Sequence, residues 1–91
     1  VLLCWTDEGI RTVEDSPHRF ETAKAIANIH GCELMEFYLT MGSVDIVAII
    51  EAPDDEALMR FNLSLRANGN LTSTTLKTFG NDAYQRIIAS V

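Results

Sequence analysis

The sequence predicts an α+β fold in which strands and helices follow one another in the order βαββαβ, with a further helix at the C-terminal end. Three observations support this order. Two apolar segments flank Gly42-Ser43, which is typical of a β-hairpin. Ser16-Pro17 and the acidic segment 53–56 are both typical helix starts. A chain of 91 residues can close one hydrophobic core, so we expect a single domain over residues 1–91.

A strand and a long helix are predicted for the first third of the chain. Residues 1–6 form an apolar run rich in strand formers, and the polar residues 7–9 are expected to form a turn. Ser16 is expected to cap the helix, with Pro17 at the first helical position, where its missing N–H costs nothing. The helix should run to His30 and stop at Gly31. Its predicted buried face consists of Phe20, Ala23, Ile26, Ala27 and His30.

The predicted hairpin joins a second strand, residues 32–41, to a third strand, residues 44–52, through a tight turn at Gly42-Ser43. The next helix is expected to begin at residues 53–56, where acidic side chains face the positive end of the helix dipole. It should end at Asn68-Gly69. Its predicted buried stripe consists of Leu58, Phe61 and Leu65.

The C-terminal part completes a ferredoxin-like βαββαβ sandwich. Residues 71–79 are predicted to form a Thr-rich fourth strand. Apolar residues then recur at i, i+3, i+4 and i+7, which predicts a short amphipathic helix. These residues are Tyr84, Ile87, Ile88 and Val91. We expect one four-stranded antiparallel sheet, with strands one and three central and two helices across a single face.

The third strand is apolar on both faces, and this predicts a partner surface. Alternation places Val44, Ile46, Ala48 and Ile50 on one face and Val47 and Ile49 on the other. In the second strand it places Cys32 and Leu34 on one face and Met35, Phe37, Leu39 and Met41 on the other. Two helices can cover only one face of the sheet. We therefore expect a homodimer, or a larger assembly of dimers, packed sheet to sheet with the C-terminal helix at an edge.

Composition restricts the possible partners. The chain has 13 acidic and 7 basic side chains and a net charge of −6, which disfavours nucleic acid because phosphate binding needs a basic surface. No apolar run approaches the roughly 20 residues that a membrane helix needs, and the start lacks the pattern of a signal peptide. We therefore expect a cytoplasmic protein without a membrane partner.

Cofactor and metal chemistry receive little support from the motifs. Cys4 and Cys32 lie in apolar segments without a C-x-x-C spacing, so we expect reduced core residues. The two histidines lie a full helix apart, and no cluster predicts a metal. Phosphate-binding glycine loops and nucleophile motifs are also missing from the sequence. We expect no cofactor and no metal.

Four blocks of the sequence resemble the GYD domain family of small bacterial and archaeal proteins. They are residues 5–11 (WTDEGIR), 15–19 (DSPHR), 38–45 (YLTMGSVD) and 51–56 (EAPDDE). The resemblance implies a dimeric α/β barrel and no established activity. The Gly-x-Tyr-Asp signature of the family reads Gly42-Ser43-Val44-Asp45 here, so the tyrosine hydroxyl is missing. A similar hairpin lies at the effector-binding subunit interface of leucine-responsive-type bacterial regulators.

Three side chains near this hairpin and the first helix are candidate ligand-binding residues. Asp45 either accepts backbone N–H groups in the turn or orients a ligand and acts as a general base. Trp5 is either a core residue of the first strand or an aromatic wall of a pocket. His18 is either a solvated or partly packed side chain in the first turn of its helix or, together with Asp15 or Glu14, a general acid or base or a metal ligand.

Two functions from different classes follow from these alternatives. The first is a homo-oligomeric module that binds a small molecule, without catalysis, in a crevice bordered by Trp5, His18 and Asp45. The second is a cofactor-free enzyme, similar to monooxygenases or isomerases of the dimeric α/β barrel class, with His18 or Asp45 as the proton-transfer group. The position of these two side chains relative to a pocket distinguishes the two functions.

Overall fold

A computed structural model describes residues 1–91 and contains four strands, four α-helices and a short 3₁₀-helix. The strands are β1 (Leu2–Trp5), β2 (Glu33–Leu39), β3 (Ile46–Glu51) and β4 (Leu71–Thr74). The helices are α1 (Asp7–Arg11), α2 (Ser16–Ile29), α3 (Asp55–Arg66) and α4 (Asn81–Ala89), and the 3₁₀-helix covers Val13–Asp15. The predicted α+β class and the predicted order of the main elements are confirmed.

The four strands form one antiparallel sheet in the order β2-β3-β1-β4. The two central strands are β1 and β3, as predicted, and this order is compatible with a ferredoxin-like fold. Leu3 lies opposite Ile46 of β3 on one side and opposite Ser73 of β4 on the other. Each central strand is therefore hydrogen-bonded along both edges.

The core lies between one face of this sheet, here called the inner face, and helices α2 and α3. Ile46 and Ala48 of β3 are buried there, whereas Ile49 on the opposite, outer face is 46% exposed. The predicted alternation of β3 is thus confirmed. The buried apolar residues are Leu3, Ala27, Cys32, Ile46, Ala48, Ala57, Phe61 and Leu65. A core of eight residues is small for a chain of this length.

The predicted turn at residues 7–9 is wrong, because these residues begin helix α1. The Thr6 hydroxyl accepts the N–H of Gly9 at 3.0 Å and so caps the helix, and Asp7 and Glu8 occupy its first turn. The same hydroxyl donates to the Gly69 carbonyl at 2.6 Å, and the Thr6 N–H donates to the Asn70 carbonyl at 3.0 Å. This corner is therefore tied to the loop before β4.

Helix α2 has the predicted end and a different beginning. His30 is its C-cap and Gly31 follows with a φ of 72°, as a left-handed C′ residue requires. At the start, Asp15 precedes the helix and no side chain caps it, because the 3₁₀-helix leads directly into α2. The prediction that Ser16 is the N-cap is therefore wrong. Of the predicted buried face, Ala27 alone is fully buried.

A β-bulge in β2 overturns the predicted faces of that strand. Leu34 pairs with Ile50 and Glu36 pairs with Ile49, so Met35 is an extra residue. Beyond the bulge the alternation is reversed, and Phe37 lies opposite Ala48 on the inner face. Phe37 and Leu34 therefore share a face, whereas a regular strand would separate them.

The hairpin loop is longer than predicted. Strand β2 ends at Leu39 and β3 begins at Ile46, so residues 40–45 replace the expected two-residue turn at Gly42-Ser43. The loop is closed by the Thr40 hydroxyl, which donates to the Val44 carbonyl at 2.6 Å. Gly42 has a φ of 132°, which favours glycine.

The C-terminal helix is confirmed, but it does not pack on its own domain. Strand β4 ends at Thr74 rather than at residue 79, and a linker leads to α4. None of the nine residues of α4 is buried, and Ile88 is 56% exposed. The radius of gyration is 14.5 Å, against about 12 Å for a compact chain of this length. No helix is long and apolar enough to cross a bilayer.

Both cysteines are free thiols, as predicted. Cys32 belongs to the core, and its burial, followed by the nearby Asp54 carboxylate, raises the pKa of its thiol. Cys4 is half-buried, and it lies opposite Thr72 on the outer face of β1. Cys4 is therefore not a core residue of this chain.

Replacement of Gly9 by alanine is expected to destabilise the fold. A Cβ atom at this buried position would collide with the Asn70 carbonyl oxygen and lie 2.9 Å from its carbon, both backbone atoms. We expect Gly9→Ala to lower the free energy of unfolding by about 1–3 kcal/mol. Urea unfolding followed by circular dichroism measures this change.

Gly80→Ala is the matched control, because a Cβ at Gly80 meets nothing within 4 Å. We expect this variant to stay within about 0.5 kcal/mol of the wild type. Equal stability of both variants would contradict the close approach of Gly9 to Asn70.

Candidate functional site

A cavity of about 370 Å³ lies between the inner face of the sheet and helices α2 and α3. Of its 18 lining residues, 13 are hydrophobic. The sheet contributes Leu3, Trp5, Leu34, Phe37, Ile46 and Ile50, and the helices contribute Phe20, Ala23, Phe61 and Leu65. The cavity is therefore an apolar space beside the small core, with one side open to solvent.

The side chains of α2 explain why this space stays open. Near the end of the helix, the small residue Ala27 is completely buried, so the helix lies close to the sheet there. Two turns earlier, the ring of Phe20 contacts that of Phe37, with ring centroids 4.3 Å apart. Ala23 lies between these two positions and is too short to fill the gap. The short side chain of Ala23 thus leaves space beside the Phe20–Phe37 contact.

Polar groups in the cavity wall come from α2 and from the loop before β4. They are Ser16, Arg19, Thr22, Asn68 and Asn70. Arg19 is the only charged side chain among the lining residues, which include no carboxylate, histidine or cysteine. A pocket with an apolar body and a few polar groups is typical of small-molecule sites.

Trp5, the first of the three candidates, lies in the cavity wall. Its indole is half-buried and packs against the hydrophobic core. Trp5 lies opposite Leu71 of β4, another lining residue. The structure therefore combines the two interpretations of this residue, since the ring is both part of the packing and part of the pocket.

Asp45 does not line the cavity and has structural partners instead. Its Oδ2 accepts the backbone N–H of Trp5 at 3.0 Å, and its own N–H donates to the Leu3 carbonyl at 2.9 Å. Its carbonyl accepts the N–H of Thr40 at 2.9 Å, which closes the hairpin loop. Asp45 directly precedes β3, and its carboxylate accepts a backbone N–H of β1 where the pairing of the two strands has ended. The sequence predicted that a structural Asp45 would accept N–H groups of its own turn, not of β1.

His18 is exposed in the first turn of α2 and is absent from the cavity wall. It forms no group with Glu14 and Asp15 that could hold a metal ion. The crevice predicted between Trp5, His18 and Asp45 is therefore not the cavity that the structure contains. Of these three residues, only Trp5 lies in the wall of the cavity.

The polar lining residues were missed by the sequence analysis. Arg19 lies four residues before Ala23 and three before Thr22, so helical spacing places it at the edge of the inward face. That signal was present in the sequence. Asn68 and Asn70 carried no such signal, because they follow the end of α3 and reach the cavity through the fold of the loop.

A second, wider groove of about 640 Å³ lies near the end of β3 and the start of α3. Of its four charged side chains, all but Glu51 are engaged with each other or with the backbone. Asp54 Oδ1 caps α3 by accepting the N–H of Ala57 at 2.7 Å, and Lys77 contacts Asp55 at 3.3 Å. The apolar cavity is therefore the better candidate site.

Comparison with known proteins identifies the family of the chain. The model of the GYD domain matches residues 1–88. No curated protein and no solved structure matches the chain significantly.

Removal of the Asp45 carboxylate is expected to reduce stability. Asp45→Ala leaves the half-buried N–H of Trp5 without an acceptor, which costs about 1–3 kcal/mol. Asp45→Asn keeps an acceptor oxygen and should retain most of the stability. Urea unfolding of the two variants separates these outcomes. Wild-type stability of Asp45→Ala would contradict the structural role.

Proposed function

Since the chain belongs to the GYD domain family, we propose that this member is a homo-oligomeric module that binds a small molecule without catalysis. The observation that carries the proposal is the apolar cavity between α2, α3 and the sheet. Its volume of about 370 Å³ falls within the range of about 300–1,000 Å³ that is usual for ligand pockets. A small and mainly apolar molecule is the ligand that we expect.

The composition of the cavity wall favours binding over chemistry. General acid–base catalysis needs a group that exchanges a proton near neutral pH, and arginine keeps its proton in proteins. Arg19 is the only ionisable side chain in the wall. The alternative, a cofactor-free enzyme with His18 or Asp45 as the proton-transfer group, has neither of these residues at the cavity. Binding without catalysis is therefore the function that this site supports best.

Assembly into a homodimer is the second part of the proposal, and the exposed surface area supports it. A folded monomer of 10.1 kDa is expected to expose about 5,300 Å². This chain exposes 6426 Å². The surplus of roughly 1,100 Å² exceeds the area of about 800 Å² that each partner buries in a standard interface.

Exposed apolar side chains lie on two surfaces that no other part of the chain covers. The outer face of the sheet presents Tyr38 and Ile49, which are 54% and 46% exposed. Helix α4 presents Tyr84, Ile87 and Ile88, and the exposed Val91 follows its end. A second copy offers the same two surfaces, so a symmetric dimer covers both at once. We place the sheets face to face, with α4 of each copy beside the other sheet.

Filling the cavity is expected to abolish binding of an apolar probe. The neutral dye N-phenyl-1-naphthylamine should bind once per chain and accept energy from Trp5, the only tryptophan. Ala23→Phe places a ring in the cavity and should weaken dye binding at least tenfold. Titration of dye fluorescence measures the change.

Ala25→Phe is the matched control, because Ala25 lies on the exposed side of the same helix. This variant should bind the dye like the wild type. Equal binding by both variants, or no saturable binding by the wild type, would refute the cavity as a ligand site.

The dimer is expected to depend on the outer face of the sheet. Sedimentation equilibrium at micromolar concentration should give twice the chain mass of 10.1 kDa. Ile49→Glu buries a charge in the proposed interface and should yield monomers. Leu63→Glu makes the same change on α3, where the side chain is 56% exposed, and should remain dimeric. A monomeric wild type would exclude this assembly.

A further inference from the structure

Arg19 is the only charged side chain in a cavity wall that is mainly apolar. It lies in the first turn of α2, next to the Phe20 ring and one helical turn before Ala23. The side chain is half-buried, so solvent screens its charge less than that of a surface arginine. A cation in this position determines which ligands the cavity favours.

No carboxylate neutralises this arginine within the chain. The chain has 13 acidic side chains, yet its three salt bridges involve Lys24, Arg60 and Lys77. The hydrogen bonds of Arg19 go to neutral acceptors only. Nη1 donates to the carbonyl and the hydroxyl of Thr12 at 3.1 and 2.8 Å, and Nη2 donates to the Gly9 carbonyl at 3.1 Å. A half-buried positive charge is thus left without a counter-charge.

These three bonds also fix the guanidinium in place. Gly9 and Thr12 belong to the end of α1 and its C-cap, where backbone carbonyls lack partners within the helix. Arg19 therefore also supplies hydrogen-bond donors to the end of α1, and these bonds hold its side chain in one orientation. A ligand that binds a preorganised group loses less entropy than one that must order a free side chain.

Two donors of the guanidinium remain after these bonds. Of its five N–H groups, three are used, and those left are on Nε and on Nη2. Neighbouring nitrogens of this kind can bind both oxygens of a carboxylate. Asn68 and Asn70, which line the same cavity, add neutral amide donors.

We infer that the ligand of this cavity is an amphipathic anion, an apolar body with one oxyanion group such as a carboxylate, and that Arg19 binds the anionic group. This inference rests on the proposed function, because it names the class of molecule that the same cavity takes. The apolar body would contact the wall formed by Trp5, Phe20 and Phe37. One negative group would satisfy the unpaired charge and both remaining donors.

The test compares octanoate with octanamide, which has the same chain and a neutral head group. Isothermal titration calorimetry at low salt should show octanoate binding about tenfold or more tightly than octanamide, because charge-assisted hydrogen bonds are the stronger ones. Arg19→Gln should remove this preference and leave the affinity for octanamide within about threefold, which also shows that the cavity persists.

Arg66→Gln is the matched control, because this substitution changes the net charge by the same amount and Arg66 is absent from the cavity wall. It should keep the preference for octanoate.

Equal wild-type affinities for the two compounds would overturn the inference and leave the proposed function intact. Failure of both compounds to bind, while N-phenyl-1-naphthylamine still binds, would also overturn the inference alone. Loss of all three would overturn the proposed function as well. The wild-type comparison decides the matter even if Arg19→Gln does not fold.

Discussion

A four-stranded sheet with two apolar faces is covered on only one of them, and this imbalance governs the rest of the structure. The strand β3 is hydrogen-bonded on both edges and sends Ala48 inward and Ile49 outward. Helices α2 and α3 cover the inner face. The outer face and the apolar stripe of α4 have no cover within the chain. Hydrophobic burial is therefore incomplete in one copy, and this is the physical reason to expect a second.

The inner face is itself incompletely filled, and this produces the candidate site. The bulge at Met35 turns Phe37 inward, where its ring contacts that of Phe20 in the cavity wall. Nearer the end of α2, the small residue Ala27 is completely buried. Arg19 then provides the only charged side chain of the cavity wall, and its guanidinium is hydrogen-bonded to the end of α1. The packing irregularity and the proposed ligand site thus have the same structural origin.

Much of the fold follows from local signals, whereas the site does not. Gly31 ends α2 and the alternation along β3 is regular, because left-handed backbone and strand geometry are local properties. The bulge in β2 depends on pairing with β3, and no residue of β2 marks it. The role of Asp45 depends on Trp5, 40 residues away in sequence. Such contacts are set by the tertiary fold, so local patterns could not show that Trp5 lines the cavity while Asp45 and His18 lie outside it.

The proposed function depends on the apolar cavity between α2 and the sheet. A crystal structure of the protein pressurised with xenon would show whether this cavity is present, because xenon binds in apolar cavities. We expect xenon density bounded by Trp5, Phe20 and Leu34. Side chains that close this space, with no xenon bound, would show that the cavity does not exist in the folded protein.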